Sequence, residues 1–136
     1  MNNKKGFSLV ELIIVIAILG IIGVVGVMSF TAVQKNSKIN TDLVTADKIG
    51  ESVRMWYTDN QSQANKTTLE SIVLYKNLTG ITNYISIGYK PNSFEGEFYV
   101  GMTSDEKIKI IIAQESTKGT TSTYNGTEAG IAYIEK

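Results

Sequence analysis

The sequence predicts an α+β fold: one long N-terminal helix whose C-terminal half packs on a small antiparallel β-sheet. Three observations predict it. Residues Phe7 to Val33 carry a single formal charge, on Glu11. The apolar pattern then narrows to one stripe at three- and four-residue intervals, and no proline interrupts it. After Thr82 come four runs rich in β-branched and aromatic residues, set apart by polar spacers.

The apolar run comes first. At about 1.5 Å per residue it makes a helix of roughly 40 Å, ample for a hydrocarbon core of about 30 Å. Ahead of it, Met1 to Lys5 is short, polar and positive. Lys4 and Lys5 predict a single-pass, N-in orientation in the cytoplasmic membrane, because basic flanks stay on the cytoplasmic side. Three kinds of segment begin in this way. A cleaved secretory signal has an apolar region of about 7–15 residues and a small-residue cut site; this run is longer and has no such end. A plain signal anchor accounts for length and orientation but not for Glu11, since a carboxylate at the bilayer centre costs about 2.5–3.5 kcal/mol. A leader cut ahead of the run leaves the run on the mature chain and places Glu11 one helical turn from a new ammonium. The i, i+4 spacing and the positive helix end then ease its burial.

The string "KKGFSLVE", from Lys4 to Glu11, resembles the processing motif of type IV prepilins and the related pseudopilins. The resemblance is strongest over the first third of the chain and rests on architecture beyond it. It implies that a prepilin peptidase cuts between Gly6 and Phe7, and that the new amine of Phe7 is methylated. It implies that Phe7 and Glu11 serve assembly, the carboxylate meeting the amine of a neighbouring subunit. The implied division is a leader at 1–6, a membrane and filament-core helix at 7–33, an amphipathic continuation at 34–58, and a globular α+β head, the pilin fold, at 59–136. The implied partners are other copies in a helical filament, the inner-membrane pilus assembly machinery, and the membrane before assembly.

Gly20, Gly23 and Gly26 lie within the apolar run. Relatives of this kind often break the helix there with a proline. Each glycine weakens a helix by roughly 1 kcal/mol relative to alanine, so these three mark a segment that softens once it leaves lipid. The alternative is that they simply permit close helix approach.

The stripe continues as Ile39, Leu43, Ala46, Ile49 or Gly50, Val53, and Trp56 or Tyr57. Lys38, Asp42, Asp47, Lys48, Glu51 and Arg54 are assigned to the opposite, solvated face. A helix from Phe7 to Thr58 is roughly 78 Å long, whereas the remaining residues form a head with a radius of gyration of about 12 Å. The head covers only the second half, and the first half needs lipid or identical helices. Trp56 on such a stripe belongs in the core; an exposed carbohydrate platform is the weaker reading.

"DNQSQANKTT", Asp59 to Thr68, reads as a polar loop. Thr67 and Glu70 are spaced as a capping box for a short helix to Leu78, stopped by Gly80. The predicted strands are Asn83–Lys90, Gly96–Thr103, Lys107–Glu115 and Gly130–Lys136. "STKGTTSTYNGTEA" reads as a surface loop, either a contact surface or a solvated connection.

Composition narrows the chemistry. The chain has no histidine and no cysteine, which excludes Ser–His and Cys–His nucleophiles and any disulfide. Lack of a disulfide departs from many Gram-negative pilins and, by resemblance, points toward a Gram-positive source. Glu95, Glu97, Asp105 and Glu106 fit turn and edge charges better than a catalytic carboxylate pair. No metal or cofactor is predicted. Asn-x-Ser/Thr triplets at Asn60, Asn65, Asn77 and Asn125 are expected by accident in so polar a chain. Basic and acidic residues balance, and no basic cluster interleaved with aromatics indicates specific nucleic-acid binding.

The predicted function is therefore a non-enzymatic, structural subunit of a type IV pilus-like surface filament serving adhesion, motility or aggregation. The alternative within the same resemblance is a pseudopilin of a type II secretion or competence and DNA-uptake system. A membrane-anchored binding or enzymatic domain that never polymerises is the competing class.

Overall fold

A computed structural model describes residues 6–135. The chain divides into two units, Met1–Gln34 and Lys35–Lys136. Helix α1 (Leu9–Asp59) supplies the first unit and opens the second. In the first unit the helix is apolar nearly all round, and every described side chain there is exposed. A helix of that kind is a membrane span or waits for protein partners. It runs without a break through Gly20, Gly23 and Gly26.

The second unit has its own core. Helix α2 (Gln63–Glu70) follows α1, and then come β1 (Val73–Leu74), β2 (Glu97–Met102), β3 (Ile108–Ala113) and β4 (Gly130–Ile134). The strands form one antiparallel sheet in the order β1-β2-β3-β4. Between β3 and β4 the register shifts, with Ile110 opposite Tyr133 and Ile111 opposite Ile131, so that Ala132 is an extra residue. Ala46, Ile49, Val53 and Trp56 are buried as their spacing predicts. They pack with Phe98, Val100 and Met102 of β2 and Ile108, Ile110 and Ile112 of β3. The intervening Tyr99, Ile111 and Ala113 face the other side, under Ile72, Leu74, Ala129 and Ile131. The apolar run Ile110–Ala113 within β3 thus reflects a strand covered on both faces. Burying each of the larger side chains contributes about 1.5–3 kcal/mol. The Trp56 indole satisfies its one donor on Thr79 O at 2.8 Å, which settles it as a core residue.

Gly50 permits a close approach of the helix to Tyr133 of the sheet. A Cβ there would lie 2.3 Å from the Tyr133 ring. Tyr133 also donates to Glu51 at 3.0 Å, and Arg54 meets Glu135 at 2.7 Å. The expected pairing of the C-terminal segment in the sheet is observed as β4.

Four local expectations are corrected. Residues 83–90 are not a strand: Ile81–Asn83 is a 3₁₀ turn and the remainder pairs with no strand. The side chain of Tyr75 takes the place of a strand partner, accepting from Tyr89 N at 3.1 Å and donating to Ser86 O at 3.3 Å. Second, α2 begins earlier than expected. Ser62, not Thr67, is its N-cap, accepting from Asn65 N at 3.2 Å, and Thr67 bonds back to Gln63 O inside the helix. Most of the predicted polar loop is therefore helical. Third, that helix stops at Glu70 rather than Leu78, and β1 and a 3₁₀ turn at Tyr75–Asn77 follow. Fourth, Asp42 is not on a solvated face but fully buried.

Candidate processing and assembly site

A helix leaves its first N–H groups without intrahelical acceptors. At the start of α1 two side chains supply them. Ser8 Oγ accepts from Val10 N at 3.3 Å, and Glu11 Oε2 accepts from Ser8 N at 2.8 Å. Ser8 O receives the first helical bond, from Leu12 N at 3.2 Å. Glu11 thus makes the return half of a capping box, to the N-cap N–H, while the Ser8 hydroxyl caps the second helical residue rather than the third. The Ser-x-x-Glu spacing of "SLVE" carries this signal in the sequence. Glu11 is thereby turned toward the helix N-terminus, where the helix dipole favours an anion. Its other oxygen, Oε1, accepts from no described residue.

Gly6, Phe7, Ser8 and Glu11 thus gather at one end of the helix. Phe7 is 93% exposed. A Cβ at Gly6 would meet nothing within 4 Å, so the fold itself does not demand glycine there. Lys4 and Lys5 lie outside the described residues. Gly20, Gly23 and Gly26 are also open to a Cβ and are spread along the helix rather than collected at this end. The helix that starts at Leu9 is long and apolar enough to cross a membrane. Chemically, this end offers an accessible peptide bond, a carboxylate with one uncommitted oxygen, and a wholly exposed apolar surface.

The second acid of α1 sits in a different environment. Asp42 Oδ1 accepts from Asn92 N at 2.6 Å and Asn92 Nδ2 at 3.2 Å. Its Oδ2 accepts from Ser93 N at 2.9 Å, Tyr124 OH at 3.0 Å and the Ser93 hydroxyl. Burial pushes the Asp42 carboxyl up. The Ser93 hydroxyl, the Asn92 and Ser93 amides and the Tyr124 hydroxyl outweigh it, leaving the group below its ordinary value. Burial pushes Tyr124 up to about 12, which keeps it a donor. One carboxylate therefore ties two loops, through Asn92–Ser93 and Tyr124, to the helix. Gly126 completes the attachment, since a Cβ there would lie 2.3 Å from Ile39. The long polar loop is accordingly anchored at Tyr124 and Gly126, both buried. Sequence reasoning missed Asp42 because its donors lie 50 or more residues away. Among the described residues no cluster of acids suited to a metal occurs.

The family model for the prokaryotic N-terminal methylation motif matches residues 1–27. This is the prepilin-like processing motif of type IV pilins. Comparison with curated proteins and with solved structures found no match. None of these comparisons supports a Gram-positive source.

Proposed function

We propose that a chain built on this motif is a structural subunit of a type IV pilus-like surface filament. The observation that carries the reading is the methylation motif at residues 1–27, continuous with an apolar helix whose described side chains are all exposed. The proposed parts are a leader at 1–6, a membrane and filament-core helix at 7–33, its amphipathic continuation at 34–58, and a head at 59–136. The prepilin peptidase cuts between Gly6 and Phe7, and Phe7 is methylated on its new amine. Tolerance of bulk at Gly6 by the fold means that substitutions there act in the peptidase cleft and not on folding.

The capping geometry suggests an order of events for Glu11. Before assembly its carboxylate is occupied by the N–H of Ser8, which lowers the cost of holding it near lipid. During assembly the uncommitted Oε1 takes the ammonium of a neighbouring Phe7. The pairing is strengthened by the low dielectric among packed helices. The exposed apolar surface exchanges lipid for identical helices, a head-to-tail contact that grows an open fibre. Gly20, Gly23 and Gly26 soften the helix in that fibre, where neighbouring chains pair the freed backbone groups.

Mass spectrometry and electron microscopy of surface-sheared material test this. The expected subunit begins at Phe7 with one added methyl and comes from long fibres. A mature chain that retains Met1, or begins after Val33, defeats the reading. Correct processing with only short, envelope-bound fibres transfers the chain to the pseudopilins, which share the motif.

A further inference from the structure

The loop after β3 contains one dipeptide with chemistry of its own, Asn125–Gly126. Asn125 is exposed, and its Oδ1 accepts three hydrogen bonds. They come from Thr127 N at 2.9 Å, Thr127 Oγ1 at 2.8 Å and Glu128 N at 3.1 Å. Gly126 has φ +82° and, among the described residues, its N–H donates to no acceptor.

We propose that Asn125–Gly126 is a self-modification site, at which the Gly126 nitrogen displaces ammonia from the Asn125 side-chain amide. Hydroxide or water removes the Gly126 N–H proton. The nitrogen lone pair forms a bond to Asn125 Cγ, and the carbonyl electrons move onto Oδ1. Collapse of that intermediate breaks the Cγ–Nδ2 bond and expels Nδ2, protonated, as ammonia. The product is a five-membered succinimide. Solvent water then opens either imide carbonyl, leaving aspartate or isoaspartate at position 125. One carbon–nitrogen bond forms and one breaks in the first stage. No electron donor or acceptor is needed.

Each observation serves a step. Glycine places no side chain beside the attacking nitrogen, and no hydrogen bond holds that nitrogen back. The charge develops on Oδ1, which three fixed donors already surround in the manner of an oxyanion hole. Exposure admits the base and the water. Asn92–Ser93 provides the contrast within the same head. Its following nitrogen, Ser93 N, is committed to Asp42 at 2.9 Å, and its own Nδ2 is committed there at 3.2 Å. Asn36 lies within α1, where the next amide belongs to the helical ladder.

The two products differ in consequence. Aspartate keeps an oxygen for the same three donors and adds a negative charge. Isoaspartate lengthens the main chain by one carbon beside Gly126, where Ile39 leaves no room. It strains the neighbouring Tyr124, whose hydroxyl holds Asp42 at 3.0 Å. The head thus acquires a mark that records elapsed time.

The test is peptide mapping of the full-length chain in detergent during incubation at mildly alkaline pH. Conversion at Asn125, split between aspartyl and isoaspartyl forms, should exceed that at Asn36 and Asn92 by about tenfold or more. Thr127→Val removes one donor to the developing oxyanion and should slow conversion about tenfold in the folded chain but not in urea. Thr127→Ser should restore it. Conversion at Asn125 no faster than at Asn36 or Asn92, or a folded-state rate unchanged by Thr127→Val, overturns the proposal.

Discussion

Glu11 and Asp42 are acids on one helix, and the regions around them obey different rules. Around Glu11 nothing is buried, one hydrogen bond is made, and its donor is three residues away. At Asp42 the carboxylate itself is fully buried, five donors converge on it, and the nearest of them in sequence is 50 residues away. The first acid is held by local sequence and left with capacity for a partner. The second has spent its capacity on its own head. A carboxylate with an uncommitted oxygen on an exposed apolar surface is suited to joining molecules. A saturated one is suited to joining segments of one molecule.

The largest test of this contrast is to exchange the losses. Under the proposed assembly, Glu11→Ala removes one partner of a pair buried between subunits, a change of about 3–5 kcal/mol per contact. Filament yield, read by shearing and immunoblot, should fall by about a hundredfold or more. Processing at Phe7 and the stability of the head should stay unchanged. Normal fibres from this variant would remove Glu11 from assembly.

Asp42→Ala should do the reverse. It strands buried donors and should cost about 3 kcal/mol in urea unfolding of the full chain, while cleavage of the leader proceeds. Its pH dependence follows from the sign of the shift. The folded carboxyl lies below its ordinary value of 3.8, so its contribution is complete above that pH and is lost as pH falls through the folded value. Wild type should therefore lose more stability in acid than Asp42→Asn, in which only other lowered carboxyls such as Glu115 still contribute. Parallel acid curves for the two would show that Asp42 is not the group responsible.

Smaller effects test the surroundings of Asp42. Gly50→Ala forces a methyl into the Tyr133 ring and should lower stability by about 2 kcal/mol without affecting the first unit. Ser62→Ala removes the N-cap of α2 and should cost about 1 kcal/mol. A Thr67→Ala effect larger than that of Ser62→Ala would reinstate the cap position read from sequence. Thermal unfolding followed by far-ultraviolet circular dichroism suffices for both.

The difference between the two regions also explains what sequence could reveal. The stripe through Ala46, Ile49, Val53 and Trp56 was legible because helical period is a local property. Strands β2, β3 and β4 were legible for a similar reason. The motif around Gly6, Phe7 and Glu11 is contiguous and needed no folding to be seen. Asp42 was illegible because a lone acid between polar neighbours carries no sign of distant donors. Residues 83–90 misled because alternation predicts a strand wherever an edge is available, whereas β1 already pairs with β2 and Tyr75 captures the backbone instead. Ser62 was passed over because α2 has only one buried residue, Leu69, and so almost no apolar period.

The spacing of the contacts that close the head has a consequence for the timing of synthesis. Residues 35–59 are made and delivered early, yet the Tyr124 that meets Asp42 and the Tyr133 that meets Glu51 each follow 82 residues later. Until Tyr124 arrives Asp42 lacks one of its donors, and until Tyr133 of β4 arrives Gly50 lacks its aromatic neighbour. Closing so long a loop is slow compared with winding a helix. A chain paused partway through synthesis therefore displays an apolar stripe and an unsatisfied acid together, a combination that the finished head never shows. Any quality-control factor that binds exposed apolar helices has its longest opportunity in that interval, and truncation anywhere before Tyr133 leaves the opportunity permanent.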